Sequence, residues 1–130
     1  AGGKEMNDKI RRNEIYLANL GHTIGSEERG TRPVLIIQND LGNKHSPTTI
    51  VLPITKRVEQ RLYIPTHIRI KPFGKMKYEA TIMAEQIKII DKRRLINFID
   101  KLPKKYIKSV NNALKIAIDL QERSKYGVYR

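Results

Sequence analysis

Short apolar segments, each closed by a residue that favours a turn, occupy the first two thirds of this sequence. Ile15–Leu20 ends at Gly21, Thr48–Leu52 ends at Pro53, and His67–Ile70 alternates polar and apolar residues. Segments of this length and composition are typical of β-strands. They lie too close together for the long crossovers that parallel strands need. The spacing therefore predicts a small antiparallel barrel.

Two segments add detail to this sheet. Val34–Gln38 is apolar at successive positions, which predicts a central strand buried on both faces, and Asn39–Asn43 predicts a turn. Ala80–Ala84 predicts a fifth strand that Ile87–Ile90 extends after a kink or bulge. Pro53 places an edge or a bulge at the end of the third strand.

The last third of the chain changes character. Arg93–Leu102 is compatible with either a short helix or another strand, and Pro103 suits the first turn of a helix. Apolar residues then recur at helical spacing, namely Ile107, Val110, Leu114, Ala117 and Ile118. The predicted fold is therefore α+β and mainly β, a small antiparallel barrel with a C-terminal helix.

The length of 130 residues predicts one domain, over residues 6–123. Residues 1–5 are interpreted as a cloning remnant and residues 124–130 as a loose tail. The absence of cysteine excludes disulfides and thiolate metal sites. Without a long apolar run or a secretory signal, the sequence predicts no membrane span and a cytoplasmic location.

The net charge of +13 favours a polyanionic partner, with nucleic acid first. An acidic protein partner is equally compatible with this charge. The charge is also compatible with a soluble basic protein that has no polyanionic partner. His22, His45 and His67 are widely separated, and no Asp-x-Asp pair or nucleotide-binding loop is present. An enzyme of this sequence is therefore predicted to work without a metal or nucleotide cofactor.

RNA cleavage by its own 2′-hydroxyl needs no cofactor, but it needs donors for a charged phosphorane. Arg32 is a candidate because Pro33 favours an extended backbone there and a buried strand follows. Gly25 and Gly30 let the preceding loop act as a gate. On the residues alone, a phosphate clamp and an ordinary surface cation remain equally open for Arg32.

A longer pattern resembles a known family. GSEERGTRPVLIIQND at residues 25–40 is similar to the signature of the MazF/PemK/Kid toxins, and the similarity covers about residues 10–120. Further matching segments follow in order: Gly42–Lys44, Ser46–Thr48, Ile54–Thr55, Pro65–His67, Glu85–Ile87 and Ile90–Leu95.

The resemblance implies a homodimeric, SH3-like barrel that acts as a ribosome-independent and metal-independent endoribonuclease. Such toxins cut single-stranded RNA to a 2′,3′-cyclic phosphate and a 5′-hydroxyl, and an acidic MazE-like antitoxin blocks them. Carried over by position, the catalytic residues are Arg32 and Thr55. The positions near the RNA groove, expected to bind substrate, are Ser26, Glu27, His67, Glu85 and Gln86.

Arg32 is predicted to stabilise the phosphorane and is a candidate proton donor, and Thr55 is predicted to hydrogen-bond the scissile phosphate. Two roles remain open for His67: it could relay a proton, or it could cap the end of a strand. The chain departs from the family at Asn13, where glycine is usual, and at Glu28, where glutamine is common. Asparagine tolerates the positive φ that such a turn needs.

The segment of residues 56–64 is about one residue longer than in the relatives, so RNA specificity cannot be copied from them. Two other functional classes remain open at this point. A CcdB-like toxin binds DNA gyrase without chemistry, and a nuclease-dead regulator binds nucleic acid through charge alone.

Overall fold

The computed structural model describes residues 9–58 and 63–120. Its strands are β1 (Glu14–Asn19), β2 (Thr31–Ile36), β3 (Thr48–Thr55), β4 (His67–Ile70), β5 (Ala80–Met83), β6 (Lys88–Asp91) and β7 (Leu95–Lys101). Its helices are α1 (Asp40–His45) and α2 (Ile107–Ala117). The predicted remnant at 1–5 and the predicted tail at 124–130 lie outside the described residues.

The strands form one antiparallel sheet in the order β4-β5-β3-β2-β1-β7, and β6 pairs with β3 beside β5. The mainly β fold with a C-terminal helix is thus confirmed. Among the described residues no pairing joins β4 to β7, so the predicted barrel is an open sheet. No described helix has the length and apolar character needed to cross a membrane.

The core lies on both faces of the sheet. Leu35 belongs to a cluster that α2 completes with Val110 and Ala113. Val34 and Ile36 belong to a second cluster on the opposite face, around Tyr16. Since successive strand residues point to opposite faces, residues 34–36 are buried from both sides, as the composition predicted, but the strand ends at Ile36 and not at Gln38.

The predicted turn at Asn39–Asn43 is wrong, because α1 occupies this segment. Asn39 caps the helix, and its side-chain oxygen accepts the Gly42 N–H at 2.8 Å. Asn43 is fully buried, where its side chain accepts from the Thr49 hydroxyl at 2.7 Å. The residues that favour a turn are also those that begin a helix, and the buried amide then holds the helix on β3.

The third strand does not end at Pro53 but continues to Thr55. On the side of β3 that faces away from β2, the strand pairs with β6 up to Val51 and with β5 from Ile54 onward. Pro53 lies in the interval between these two partners. Its missing N–H therefore interrupts no ladder on that edge, which is why the strand tolerates it.

The kink predicted after the fifth strand is confirmed as a 3-10 turn at Ala84–Gln86, after which β6 continues along β3. The ambiguous segment Arg93–Leu102 is mainly strand, since β7 covers Leu95–Lys101. Pro103 precedes a 3-10 turn that leads into α2. The assignment of Ile118 to the packed helix face is wrong, because it follows the helix end and is 48% exposed.

Asn13 adopts a φ of 72°, as the departure from glycine predicted. Its N–H donates to the Ile36 carbonyl at 2.7 Å, and its own carbonyl accepts the Leu102 N–H at 2.9 Å. The left-handed turn thus ties the start of β1 to β2 and to the end of β7.

A second tight turn, Phe73–Met76, rests on Asp100. The Asp100 carboxylate accepts the Lys75 N–H at 3.0 Å and the Lys101 N–H at 2.8 Å. These two bonds lower the pKa of Asp100, because they stabilise its charged form. Gly74 lies in this turn at φ 46°, and a Cβ placed there would collide with the Asp100 carboxylate.

Gly74→Ala is expected to destabilise the protein by about 2–3 kcal/mol, because the added Cβ displaces the Asp100 carboxylate from its bond to the Lys75 N–H, in addition to the cost of positive φ. Gly30→Ala is the matched control, since Gly30 has a φ of 77° and open space around it. It should cost about 1–2 kcal/mol. Urea unfolding measures the stability of both variants, and equal losses of stability would refute the contact between the added Cβ and Asp100.

Candidate active site

Arg32 lies near the start of β2 and is held by the loop that precedes it. Its Nη1 donates to Glu28 Oε1 at 2.8 Å, and its Nε donates to the Arg29 carbonyl at 2.9 Å. The Arg32 side chain is 28% exposed. The structure therefore places the arginine at the foot of the loop, as predicted, with a carboxylate as its present partner.

The pairing of β2 with β3 brings Thr55 to Arg32. Val34 pairs with Pro53, and the same register carried on by two residues sets Arg32 opposite Thr55. Directly opposed side chains share one face of a sheet and lie close together. Thr55 Oγ1 accepts the Arg57 N–H at 3.2 Å. This bond leaves the hydroxyl hydrogen of Thr55 able to donate.

Both residues line a cavity of about 650 Å³ at the end of the sheet where β2 begins and β3 ends. Residues of both sheet faces contribute to it, including Pro33 and Ile54 from the face opposite to Arg32. Its cationic and aromatic walls comprise Lys56, Lys75, Tyr78 and Phe98. The Lys56 ammonium lies 4.5 Å from the centre of the Tyr78 ring, within the range of a cation–π contact.

The loop of residues 25–30 is held by the two bonds from Arg32, by backbone bonds of Gly30 to Leu20 and Gly21 at 2.9 and 3.0 Å, and by three longer bonds to Gln86 and Lys88. The Glu28 N–H donates to Gln86 Oε1 at 3.3 Å, and Gln86 Nε2 donates to the Ser26 carbonyl at 3.3 Å. The Lys88 ammonium donates to the Glu28 carbonyl at 3.4 Å. Ser26 and Gln86 are thus linked to Arg32 through Glu28.

His67 and Glu85 form a separate pair. A ring nitrogen of His67 lies 2.8 Å from Glu85 Oε2, and the Thr66 hydroxyl donates to Glu85 Oε1 at 2.9 Å. His67 lines a second cavity of about 910 Å³ between β4 and α2. The cations and tyrosines of that cavity are Arg69, Lys71, Lys105, Tyr63 and Tyr106.

The structure thus joins Arg32 with Thr55, Ser26 with Gln86, and His67 with Glu85. Glu27 is exposed in the loop, and its carbonyl accepts the Thr23 hydroxyl at 2.9 Å. Neither described cavity holds all seven predicted residues, because Arg32 and Thr55 line the first and His67 lines the second.

Sequence reasoning missed Lys75, Tyr78 and Lys88. The first two reach the cavity from the Phe73–Met76 turn and the segment before β5, and the third contacts the loop from β6. For Lys75, the sequence feature that could have indicated a functional position is the glycine beside it in a basic turn. In the ranges 9–58 and 63–120, no group of three or more His, Asp or Glu side chains is placed to hold a metal ion.

Comparison with known proteins identifies the family of this chain. The family described as PemK-like, MazF-like toxin of type II toxin–antitoxin system matches residues 11–118. An endoribonuclease MazF from Staphylococcus saprophyticus is 47% identical over 112 residues, which are 85% of this chain and 92% of that protein.

Solved structures share the fold. An endoribonuclease in complex with its cognate antitoxin, from a mycobacterial species, aligns with a TM-score of 0.71 at 23% identity, over 88% of this chain and 99% of that one. MazF from Deinococcus radiodurans aligns with a TM-score of 0.73 at 18% identity, over 85% of this chain and 96% of that one.

Gln86→Ala is expected to loosen the loop of residues 25–30, because it removes the acceptor for the Glu28 N–H and the donor to the Ser26 carbonyl. Hydrogen exchange of the Glu28 amide should accelerate several-fold. Asn112→Ala, which removes an exposed amide on α2, is the control. Unchanged exchange in Gln86→Ala would show that other contacts hold the loop.

Proposed function

We propose, since this chain belongs to the PemK-like, MazF-like toxin family of type II toxin–antitoxin systems, that it cleaves single-stranded mRNA at specific short sequences. It is an endoribonuclease toxin, and the cut yields a 2′,3′-cyclic phosphate and a 5′-hydroxyl. The observation that carries the proposal is that Arg32 and Thr55 line one cavity together with Lys56 and Lys75.

The reaction follows from what these side chains offer. The RNA 2′-oxygen loses its proton and bonds to phosphorus, the bond to the 5′-oxygen breaks, and that oxygen gains a proton. The phosphorane between these steps carries extra negative charge. Arg32 donates to its non-bridging oxygens, since a guanidinium fork matches phosphate geometry and keeps its proton at neutral pH.

Thr55 supplies a second, neutral donor. Its oxygen already accepts the Arg57 N–H, so its hydroxyl hydrogen is directed to another acceptor, here the scissile phosphate. Lys56 and Lys75 add positive charge along the cavity wall. Because side chains supply the neutralising charge, the proposed chemistry requires neither a metal ion nor the ribosome.

The remaining predicted residues are proposed to hold the RNA beside the scissile phosphate. Ser26, Glu27 and Gln86 belong to the loop and its anchor, where unstacked bases can be read. His67 and Glu85 border the second cavity, whose cations suit the flanking backbone of a single strand.

The proposed partners are an acidic MazE-like antitoxin and a second copy of the chain. The high positive charge suits an acidic inhibitor. Ile87 and Ile89 are 39% and 70% exposed. Exposed apolar side chains of this size favour a protein interface. The proposed site of action is the cytoplasm, where mRNA is translated.

A gyrase-binding, CcdB-like activity is not favoured, because the 47% identical relative is named an endoribonuclease. A regulator that binds nucleic acid without cutting it would leave the RNA intact. A cleavage assay therefore separates the proposal from both alternatives.

The protein is expected to cut a varied pool of single-stranded RNA in the presence of EDTA. Arg32→Ala should slow cleavage by about 10²–10³-fold through loss of the main donor to the phosphorane. Thr55→Val, which keeps the shape, should slow it by about tenfold. Gel analysis under single-turnover conditions measures the rates, and end-labelling identifies the 5′-hydroxyl.

Arg93→Ala is the matched control, since it removes an exposed arginine that pairs with Asp91. Its rate should match that of the unaltered protein. No cleavage of any RNA in the pool would refute the proposed reaction. Full activity in a folded Arg32→Ala protein would refute the assignment of the site.

A further inference from the structure

The Glu28 carboxylate occupies the position at Arg32 where a phosphate has to bind. A guanidinium offers two edges that can grip an anion with paired donors, one formed by Nε with an Nη and one by the two Nη groups. Glu28 engages Nη1 and the Arg29 carbonyl engages Nε, so each edge already has one nitrogen in use. A phosphate therefore meets Arg32 in competition with Glu28.

The competitor is held less firmly than the arginine. Arg32 belongs to β2, whose following residues are buried on both faces. Glu28 belongs to the loop. Apart from the bonds that Arg32 itself makes, the middle of the loop is tied to Gln86 and Lys88 by hydrogen bonds of 3.3–3.4 Å, whereas the shorter backbone bonds of 2.9–3.0 Å are made at its end by Gly30. Gly25 and Gly30 bracket this loop at φ 59° and 77°. The carboxylate can thus leave while the guanidinium stays in place.

We propose that Glu28 is a selectivity residue, which reserves Arg32 for polymeric substrates by acting as a built-in competitor of phosphate. The inference rests on the proposed nuclease function and concerns the same site. A partly exposed arginine–carboxylate pair contributes little free energy. A single small anion, however, forms with Arg32 only about the same interactions as the Glu28 carboxylate that it must displace, so its net gain in binding free energy is small. Lys56 and Lys75 line the same cavity, so an RNA strand can add phosphate contacts to these lysines and gain enough binding free energy to displace Glu28.

Glu28→Gln tests this inference, because it removes the charge and keeps an oxygen that can accept from Arg32. The probe is a short, fluorescent, uniformly 2′-O-methylated RNA pool, which lacks the attacking hydroxyl and cannot be cut. Fluorescence anisotropy at fixed salt should give a Kd about three- to fivefold lower for Glu28→Gln than for the unaltered protein.

Inorganic phosphate provides the second measurement. It should displace the RNA probe from Glu28→Gln at concentrations several-fold lower than those needed for the unaltered protein, because Arg32 is then open to small anions. Asp119→Asn is the matched control, because it makes the same change in net charge just beyond the end of α2. Asp119 has a φ of 57°, which asparagine tolerates. The Kd and phosphate sensitivity of this control should stay near those of the unaltered protein.

An equal or weaker affinity in a folded Glu28→Gln protein would overturn the inference, and so would equal tightening by Asp119→Asn. A Kd that is unchanged while cleavage of unmodified RNA falls by more than about 10²-fold would also overturn it, and would identify Glu28 as the proton acceptor. Tighter binding by Glu28→Gln together with no cleavage by either protein would support the role of Glu28 as a competitor of phosphate and would refute the proposed nuclease function.

Discussion

The burial of β2 on both faces is the constraint on which the candidate site depends. Val34 and Ile36 pack into one cluster and Leu35 into the other. A slip of one residue along β3 would move each side chain to the wrong face, so the register is strongly specified. That register, extended two residues beyond the pair of Val34 and Pro53, directs Arg32 toward Thr55, and both residues line the cavity. The geometry of the proposed chemistry is thus fixed by apolar packing away from the reacting atoms.

The loop of residues 25–30 has the opposite character. It is held by hydrogen bonds to Arg32, Gln86 and Lys88 and by the backbone of Gly30, and it contributes no side chain to either apolar cluster. Regions with few buried apolar contacts open at low free-energy cost. A rigid arginine beside an easily opened loop suits a site that admits a long, flexible substrate.

Features encoded by local pattern could be predicted from the sequence, and features set by distant contacts could not. The apolar run at Val34 predicted a doubly buried strand, and asparagine chemistry predicted the positive φ of Asn13. The helix α1 escaped prediction because its stability comes from the burial of Asn43 against Thr49. Lys75 and Tyr78 escaped because only the folded chain brings their turn to the cavity beside Arg32.

The charges at the cavity indicate which part of the reaction this site assists. Among the described residues that line it, Arg32, Lys56 and Lys75 are cationic and none is a histidine or a carboxylate. Glu28 faces Arg32 in an ion pair, and both oxygens of Glu85 are engaged by Thr66 and His67. An arginine keeps its proton at neutral pH and acts mainly by its charge and its donors. Under the proposed function the cavity would lower the free energy of a charged phosphorane, and the position of Glu28 would decide when Arg32 is available for that role.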